Sequence, residues 1–283
     1  MRPSVTIGIP VNNEEKNIGS ILNYLNKSKC AFELKEILVV CSGCTDRSVE
    51  IVQEKMKLNN KIRLIIEKER KGKFSAMNKI LSRSKGEIII FVNGDAMPKG
   101  NSLDLLFQGF KDVRVGVATG KAIPKQSKHS LAGYFHNLIC DIHHELALRF
   151  PKMGDVWAVR TGLVEKIPEK ILNDDAYIAN FIAKTHKIVY QPKSEHFILE
   201  KLSLKMYIKE RRRNAQGYIQ LSKLGMHKNI PLNFLINLVL HQLMKEPERF
   251  FYIFLAVIIE ISSHLLAFGD IARGKIDYKW ERE

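Results

Sequence analysis

The residues best placed to do chemistry in this chain stand where apolar runs stop. Gly86-Glu87-Ile88-Ile89-Ile90-Phe91-Val92 gives way to Asn93-Gly94-Asp95-Ala96-Met97-Pro98. The run is short and rich in β-branched residues, so it reads as a buried strand. Asp95 then sits at the strand's carboxyl end, where open α/β sheets collect ligands. A carboxylate there, with Gly94 beside it, lets a divalent metal and a phosphate approach closely. Taken alone, the same residues would also serve as a polar strand end capping the next helix.

The elements that must position Asp95 repeat this pattern upstream. Val5-Thr6-Ile7-Gly8-Ile9-Pro10 precedes Val11-Asn12-Asn13-Glu14-Glu15 and a helical spacing of Ile18, Ile21, Leu22 and Leu25. Ile37-Leu38-Val39-Val40 precedes Cys41-Ser42-Gly43-Cys44-Thr45-Asp46 and a helix over 48–57. Ile62-Arg63-Leu64-Ile65-Ile66 precedes Arg70-Lys71-Gly72-Lys73 and a helix near 74–81. Strands alternating with helices imply an α/β fold with a mainly parallel sheet. The strand ends gather Asn/Glu, Ser/Thr/Asp, Arg/Lys and Asp into one polar crevice. That chemistry suits a nucleotide diphosphate: acidic groups read base and ribose, basic groups meet phosphate, and Asp95 holds a metal.

At these residues the chain resembles family-two glycosyltransferases of GT-A fold. Pro10 to Glu15 with Ile18 is similar to the family's opening motif, Val39 to Asp46 to its second strand and turn, and Arg70 to Lys73 with Ala76 and Asn78 to its basic loop. Asn93-Gly94-Asp95 falls on the metal-binding Asp-x-Asp motif, and Asn173-Asp174-Asp175-Ala176 resembles the acidic pair that carries the catalytic base. The resemblance covers about residues 4–217. It implies an inverting, nucleotide-diphospho-sugar-dependent transferase with Asp175 as base and Asp174 orienting it. Donor contacts are expected at Pro10, Asn12, Glu14, Ser42, Asp46, Lys73, Asn93, Gly94 and Asp95. Mg²⁺ or Mn²⁺ is expected on Asp95 and Asn93. His196, which follows a predicted strand at Ile188-Val189-Tyr190-Gln191-Pro192, is expected to join them, since enzymes of this fold often recruit a late His. Arg211, Arg212 and Arg213 have the guanidinium geometry to clamp a diphosphate, although a solvated helix face fits at least one of them as well.

The departures from the family's pattern are specific. Asn93 replaces the first Asp of the metal motif and brings no charge. Cys41 or Ser42 stands where an acidic residue often reads the base. The Gln-x-x-Arg-Trp box of processive synthases is reduced to Glu210-Arg211-Arg212-Arg213-Asn214, which argues for transfer of a single sugar.

Length and composition agree with one large catalytic domain, 1–228, and a C-terminal appendage, 229–283, within 283 residues. Met1-Arg2-Pro3 leads directly into the first strand, so no leader peptide is expected. Four irregularly spaced cysteines make no disulfide framework, and Cys41 and Cys44 are expected to be reduced structural thiols rather than a redox pair. His136, Cys140, His143 and His144 fall at helical spacing. Their neighbours Leu138, Ile139, Ile142 and Leu146 favour an amphipathic helix near the acceptor cleft over a metal site.

The net charge of +15 demands anionic partners. No nucleic-acid signature accompanies it, so no nucleic acid is expected; diphosphate substrates and an anionic membrane face are. Leu232 to Met244 and Phe250 to Phe268 are apolar helices separated by Lys245-Glu246-Pro247-Glu248-Arg249. The first is too short to span a bilayer, and the second is interrupted by Glu260, Ser262, Ser263 and His264. A membrane-associated hairpin on the cytoplasmic face is the expectation, with packing on the catalytic domain as the alternative. Tyr278, Lys279, Trp280 and Arg282 would add interface anchors. A lipid-linked or glycan acceptor follows. A nucleotidyltransferase would need a Gly-rich basic loop after the first strand, where Val11 to Glu15 stands instead. A non-catalytic scaffold on the same fold is the reading from outside enzymology.

Overall fold

The four apolar runs form the parallel half of an eight-stranded sheet in the computed structural model, which describes residues 3–226 and 230–276. The boundary expected at 228/229 and the anchors Tyr278, Lys279, Trp280 and Arg282 lie outside the described residues. Strands β1 (Ser4–Val11), β2 (Glu33–Ser42), β3 (Ile62–Glu67) and β4 (Ile88–Val92) run in one direction, ordered β3-β2-β1-β4. Helices α1 (Ile18–Lys27), α2 (Ser48–Leu58) and α3 (Lys73–Arg83) make the crossovers that parallel neighbours require. Past β4 the sheet becomes mixed. Strands β5 (Ala96–Pro98), β6 (Val115–Pro124), β7 (Val156–Arg160) and β8 (Lys187–Ile198) extend it as β4-β7-β6-β8-β5. Here β7 is antiparallel to both its neighbours, and β8 runs parallel to β6. His196, expected just after a strand, lies within β8.

Alternation along the strands separates two cores. On β4, Ile88, Ile90 and Val92 join Ile18, Ile21 and Leu22 of α1 and Leu103 and Leu106 of α4 (Ser102–Gln108). Ile89 and Phe91 face the other side, with Met77 and Ile80 of α3 and Ile178 of α6 (Asp174–Ile182). Successive side chains point to opposite faces, so a continuous apolar run marks a strand covered on both. Phe91 stacks on Trp157 of β7 at 4.4 Å between ring centroids, and both rings are buried. Each such side chain contributes about 1.5–3 kcal/mol by leaving water.

A third apolar cluster lies away from the sheet. Tyr134, Phe135, Met206, Tyr207, Ile253 and Ala256 bring together α5 (Leu131–Arg149), α7 (Leu204–Lys223) and α9 (Phe250–Ala272), and Val239 of α8 (Leu232–Lys245) packs on them. One 3-10 turn, Pro247–Arg249, joins α8 to α9. Helices on both sides of the expected domain boundary therefore share one core.

Helix α9 has two unlike faces. Ile253, Ala256, Glu260, Ser263, Ala267 and Asp270 recur at intervals of three and four and turn inward. Phe251, Phe254, Ile258, Ile261, Leu265 and Phe268 recur at the same intervals and are exposed, Phe251 by 80% and Leu265 by 70%. Arg211 Nη2 donates to Glu260 Oε2 at 3.1 Å, and Arg212 Nε donates to Asp270 Oδ2 at 2.6 Å. Gln216 Nε2 donates to the same oxygen at 2.7 Å. The acidic residues of the apolar run are thus neutralised against α7 and do not break its outward face. By length and composition alone, Pro247–Ala272 is long and apolar enough to cross a membrane.

Candidate active site

A cleft of about 340 Å³ opens across the carboxyl ends of β1, β2 and β4, with the first turn of α6 and one side of α7 as its far wall. That volume is enough for a small ligand. Asn12 ties the strand ends together, its Nδ2 donating to the carbonyls of Ser42 at 2.7 Å and Gly43 at 3.2 Å. Gly43 has φ +59°, and a Cβ there would stand 2.5 Å from the Arg70 backbone nitrogen, so glycine alone lets these loops meet. A Cβ on Gly94 would stand 2.7 Å from Glu14 Cγ. The buried Glu14 side chain therefore rests on the backbone that carries Asp95.

The basic edge consists of Arg70 and of Lys73, which opens α3, with Gly72 preceding that helix. Lys73 Nζ lies 3.4 Å from Asp174 Oδ1. Burial works against the lysine charge, but Asp174, Asp175 and Asp155 outweigh it and raise its pKa.

Asp174 and Asp175 open α6, where unpaired N–H groups and the helix dipole favour carboxylates. Asp174 Oδ1 accepts from the Asp175 N–H at 2.9 Å, and Asp175 Oδ1 accepts from the Ala176 N–H at 2.7 Å. Burial, then the neighbouring Asp174 charge, raise the Asp175 carboxyl to about 6, with Lys73 opposing. Helix α7 fixes the approach to this pair. Asn173 Nδ2 donates to the Asn214 carbonyl at 3.1 Å, and the Leu172 N–H donates to Gln220 Oε1 at 3.1 Å. A Cβ on Gly217 would stand 2.4 Å from the Asn173 side chain, so the two elements meet backbone to side chain.

Pro10, Asn12, Glu14, Ser42, Lys73, Asn93, Gly94, Asp95, Asp174, Asp175 and Arg213 all line the cleft. Four expected residues do not. Asp46 is committed to its own turn, accepting from the Ser48 N–H at 3.0 Å and the Glu15 N–H at 2.9 Å. Arg212 faces α9. Successive helix residues turn by about 100°, so Glu210, Arg213 and Asn214 share the cleft side while Arg211, Arg212 and Gln216 share the opposite one. The diphosphate clamp expected of Arg211 and Arg212 is thus corrected. His196 is buried within β8, its Nε2 3.7 Å from Asp155 Oδ2.

Sequence reading missed Asp155. It immediately precedes β7, and the antiparallel ladder sets it beside Asn93 at the end of β4. The Asn93 N–H donates to the Asp155 carbonyl at 3.0 Å, and Asn93 Nδ2 donates to Asp155 Oδ1 at 2.9 Å. Burial pushes this carboxyl up, but His196, Lys73 and Asn93 together hold it well below the usual carboxylate range. The available signal was Gly154-Asp155 before Val156-Trp157-Ala158-Val159, a carboxylate bordering an apolar run at its start. Glu210 was not assigned to the cleft either, whereas the helix expected near the acceptor cleft does reach its lining through His136. Burial first, then Glu200, Asp155 and Asp95, push Glu210 up to about 7.

Among the described residues no three His, Cys, Asp or Glu side chains converge to hold a metal by themselves. Hard cations such as Mg²⁺ commonly combine one or two carboxylates with substrate phosphates, and Asp95 beside the basic edge suits that arrangement. Cys41 and Cys44 are free thiols.

A mixed sheet whose parallel strand ends open into such a cleft is the GT-A architecture. Residues 6–157 match the model of Glycosyl transferase family 2, over half of the chain, and the chain belongs to that family. Glycosyltransferase AglE of Haloferax volcanii is 33% identical over 96 residues, 34% of this chain and 32% of that protein. Probable glycosyltransferase YdaM of Bacillus subtilis is 25% identical over 236 residues, 76% of this chain and 55% of that protein. The chain spans about a third to a half of the length of the curated relatives it matches. Among solved structures, the mannosyltransferase PcManGT from Pyrobaculum calidifontis, in complex with GDP-Man and Mn²⁺, superposes with a TM-score of 0.62 at 21% identity, covering 97% of this chain and 80% of that one. Glucosyl-3-phosphoglycerate synthase from Mycobacterium tuberculosis, in complex with Mn²⁺ and UDP-glucose, gives 0.58 at 15% identity, covering 80% of this chain and 81% of that one. At these identities the likeness is one of fold.

Proposed function

We propose that the chain is an inverting glycosyltransferase moving one sugar from a nucleotide-diphosphate donor to a hydroxyl of a lipid-linked or glycan acceptor. The observation that carries this reading is Asp175. It is a carboxylate raised to about 6, held at a helix N-terminus across one cleft from Asn93-Gly94-Asp95 and the basic edge. A general base works best near the operating pH. Asp175 takes the proton from the acceptor hydroxyl as the oxygen attacks the anomeric carbon. Asp174, paired with Lys73, holds the first turn of α6 in place. Lys73, Arg70 and Arg213 meet the diphosphate, while Asn12, Glu14 and Ser42 face the nucleoside. Asp95, with Asn93 and His196, would hold Mg²⁺ or Mn²⁺, which would supply charge neutralisation for the leaving diphosphate. The Mn²⁺ in both solved relatives supports a metal requirement.

The exposed apolar face of α9, flanked by Lys245, Arg249 and Arg273, supports placing the enzyme on the cytoplasmic face of a membrane, where a lipid-linked acceptor would be presented. The test is to incubate the chain with a panel of nucleotide sugars and Mn²⁺. We expect slow release of nucleoside diphosphate without acceptor, and an inverted anomeric configuration in any transferred product. No release from any donor, together with no thermal shift by any donor, would sink the proposal.

A further inference from the structure

A second cavity, of about 450 Å³, lies beside the cleft, between α7 and the end of α9. Lys209, Arg212, Arg213 and Gln216 recur at helical spacing and form its α7 wall, with Asp270, Lys275 and Ile276 opposite. Four basic side chains thus surround one carboxylate. That carboxylate is already committed. Asp270 Oδ2 accepts from Arg212 Nε at 2.6 Å and from Gln216 Nε2 at 2.7 Å, and these donors hold its pKa below the ordinary value. The cavity is therefore net positive, it is large enough for a ligand, and no step of the proposed transfer uses it.

Its position connects two other regions. Arg213 lines both this cavity and the cleft, and its Nη2 donates at 3.4 Å to the carbonyl of Leu172, just ahead of the Asp174–Asp175 pair. At the other end stand the last turns of α9, whose outward side exposes Leu265 by 70% and Phe268 by 68%. One helix diameter, about 10 Å, separates that apolar stripe from the cavity wall. A molecule in the cavity thus meets the outward-facing helix at one end and the wall of the cleft at the other.

We propose that this cavity binds the diphosphate that joins an acceptor sugar to its lipid. Guanidinium groups match phosphate oxygens in pairs, and lysines add point charges. The number of cations suits two phosphates better than one. The lipid leaves along α9, and the sugar hydroxyl passes Arg213 to reach Asp175. Arg213 stands between this diphosphate and the donor's, which meets Arg70 and Lys73 in the cleft. The proposal rests on the lipid-linked acceptor of the proposed function and gives its phosphates a place. The rival role is a basic surface that attracts any anionic headgroup alike.

The experiment measures sedimentation of the full chain with phosphatidylcholine vesicles, with UDP or GDP and Mn²⁺ present to occupy the donor end of the cleft. One set of vesicles carries dodecyl diphosphate, and a second carries phosphatidylglycerol at matched charge. The parent should bind the first about tenfold more tightly, because bulk attraction is then equal and only the first presents a diphosphate. Lys209→Gln with Lys275→Gln should reduce that preference to within about twofold. The thermal shift by nucleotide should stay unchanged, since neither lysine lines the cleft. Should the double variant not fold, Lys275→Gln alone decides, and the preference should fall about threefold. Equal binding of both vesicle sets by the parent, or a preference that survives in a folded variant, overturns the proposal. Soluble inorganic diphosphate separates the sources. Competition only at about 10² times the lipid concentration supports a membrane-held ligand, and competition at equal concentration assigns the cavity to a soluble diphosphate and overturns the acceptor. The nucleotide shift tests the donor reading by itself: its absence in the parent removes that reading and leaves the vesicle comparison standing.

Discussion

The two halves of the cleft hold their charged groups by different means. On the strand side, Asn12, Ser42, Asn93 and Asp95 stand at the ends of runs whose backbone is committed to sheet and whose side chains are buried on both faces. On the helix side, Glu210, Arg213 and Asp175 belong to α7 and α6, which add to their apolar packing a set of polar contacts: Asn173 to Asn214, Leu172 to Gln220, Arg211 to Glu260 and Arg212 to Asp270. The strand side tolerates change at the surface and fails when its core is opened. The helix side couples each charged residue to a neighbour, so stability and function are separable only residue by residue.

The sharpest way to probe the strand side is Asp95→Ala. A methyl group cannot coordinate a hard cation, so metal-dependent donor binding should be abolished, and calorimetry with Mn²⁺ and donor measures it. Parental binding in that variant would remove Asp95 from the metal.

On the helix side, Asp175→Asn should lower turnover by about 10² to 10⁴ while leaving donor affinity nearly intact. Because Asp175 must be unprotonated to accept a proton, the parent's rate should fall as pH drops through about 6 and be level above it. The charged groups around it are Asp174, Lys73 and Lys152. The same value has a stability consequence of known sign. The folded chain binds this proton more tightly than the unfolded chain, so the contribution is favourable below the ordinary value of 3.8 and is lost as pH rises through about 6. Asp175→Asn should therefore raise Tm at pH 8 relative to the parent and leave it unchanged at pH 3.5. A lower Tm at pH 8 would show that the carboxylate is structurally required.

Adjacent arginines should then give opposite phenotypes. Arg211→Ala leaves Glu260 partly buried without its partner and should cost about 2 kcal/mol, below the range for fully buried pairs. Arg212→Ala, at a more exposed pair, should cost about 1 kcal/mol. Arg213→Ala, which gives up only a long 3.4 Å bond to the Leu172 carbonyl among those named here, should cost less stability than Arg211→Ala and weaken donor binding. Urea denaturation beside donor titration separates them, and equal destabilisation by all three would erase the contrast between the faces.

The smallest effects belong to the outward face of α9. The chain should sediment with anionic liposomes at low salt, and Phe251→Glu with Leu265→Glu should abolish this without shifting Tm. Replacing Lys245 or Arg249 by Gln should weaken it by about 1 kcal/mol each. A parent that ignores liposomes would refute the membrane placement.

How much of this was legible depended on how local the determinant was. A switch from apolar run to polar residue is written in consecutive positions, so Asn12, Ser42, Asn93 and Asp95 were found from their own neighbourhoods, and the parallel half of the sheet with them. Asp155 was hidden because its partner lies 62 positions away and the pairing depends on the antiparallel insertion of β7, which no local pattern announces. Arg212 was misassigned for a related reason. Helix periodicity separates the two faces of α7, but only Asp270, far along the chain, decides which face meets the cleft. Glu260 read as an interruption of an apolar helix, although its spacing from Ile253, Ala256, Ser263 and Ala267 already assigned it to the inward stripe. Asp46 was placed by analogy with its turn, and its hydrogen bonds to Glu15 and Ser48 take it elsewhere.

The placement of α7 between the cleft and α9 sets a reach. Packed helix axes lie about 8–10 Å apart, and each helix with its side chains is about 10 Å across, so roughly 20 Å separates the cleft wall at Glu210 from the exposed stripe of α9. For a chain resting on a bilayer by that stripe, a hydroxyl at the lipid surface would be out of range. The acceptor would have to project its reactive group well clear of the headgroup layer, as a phosphate-linked or already glycosylated lipid does. Substrate length, measured from the membrane upward, would then act as a selector that no side chain in the cleft needs to encode.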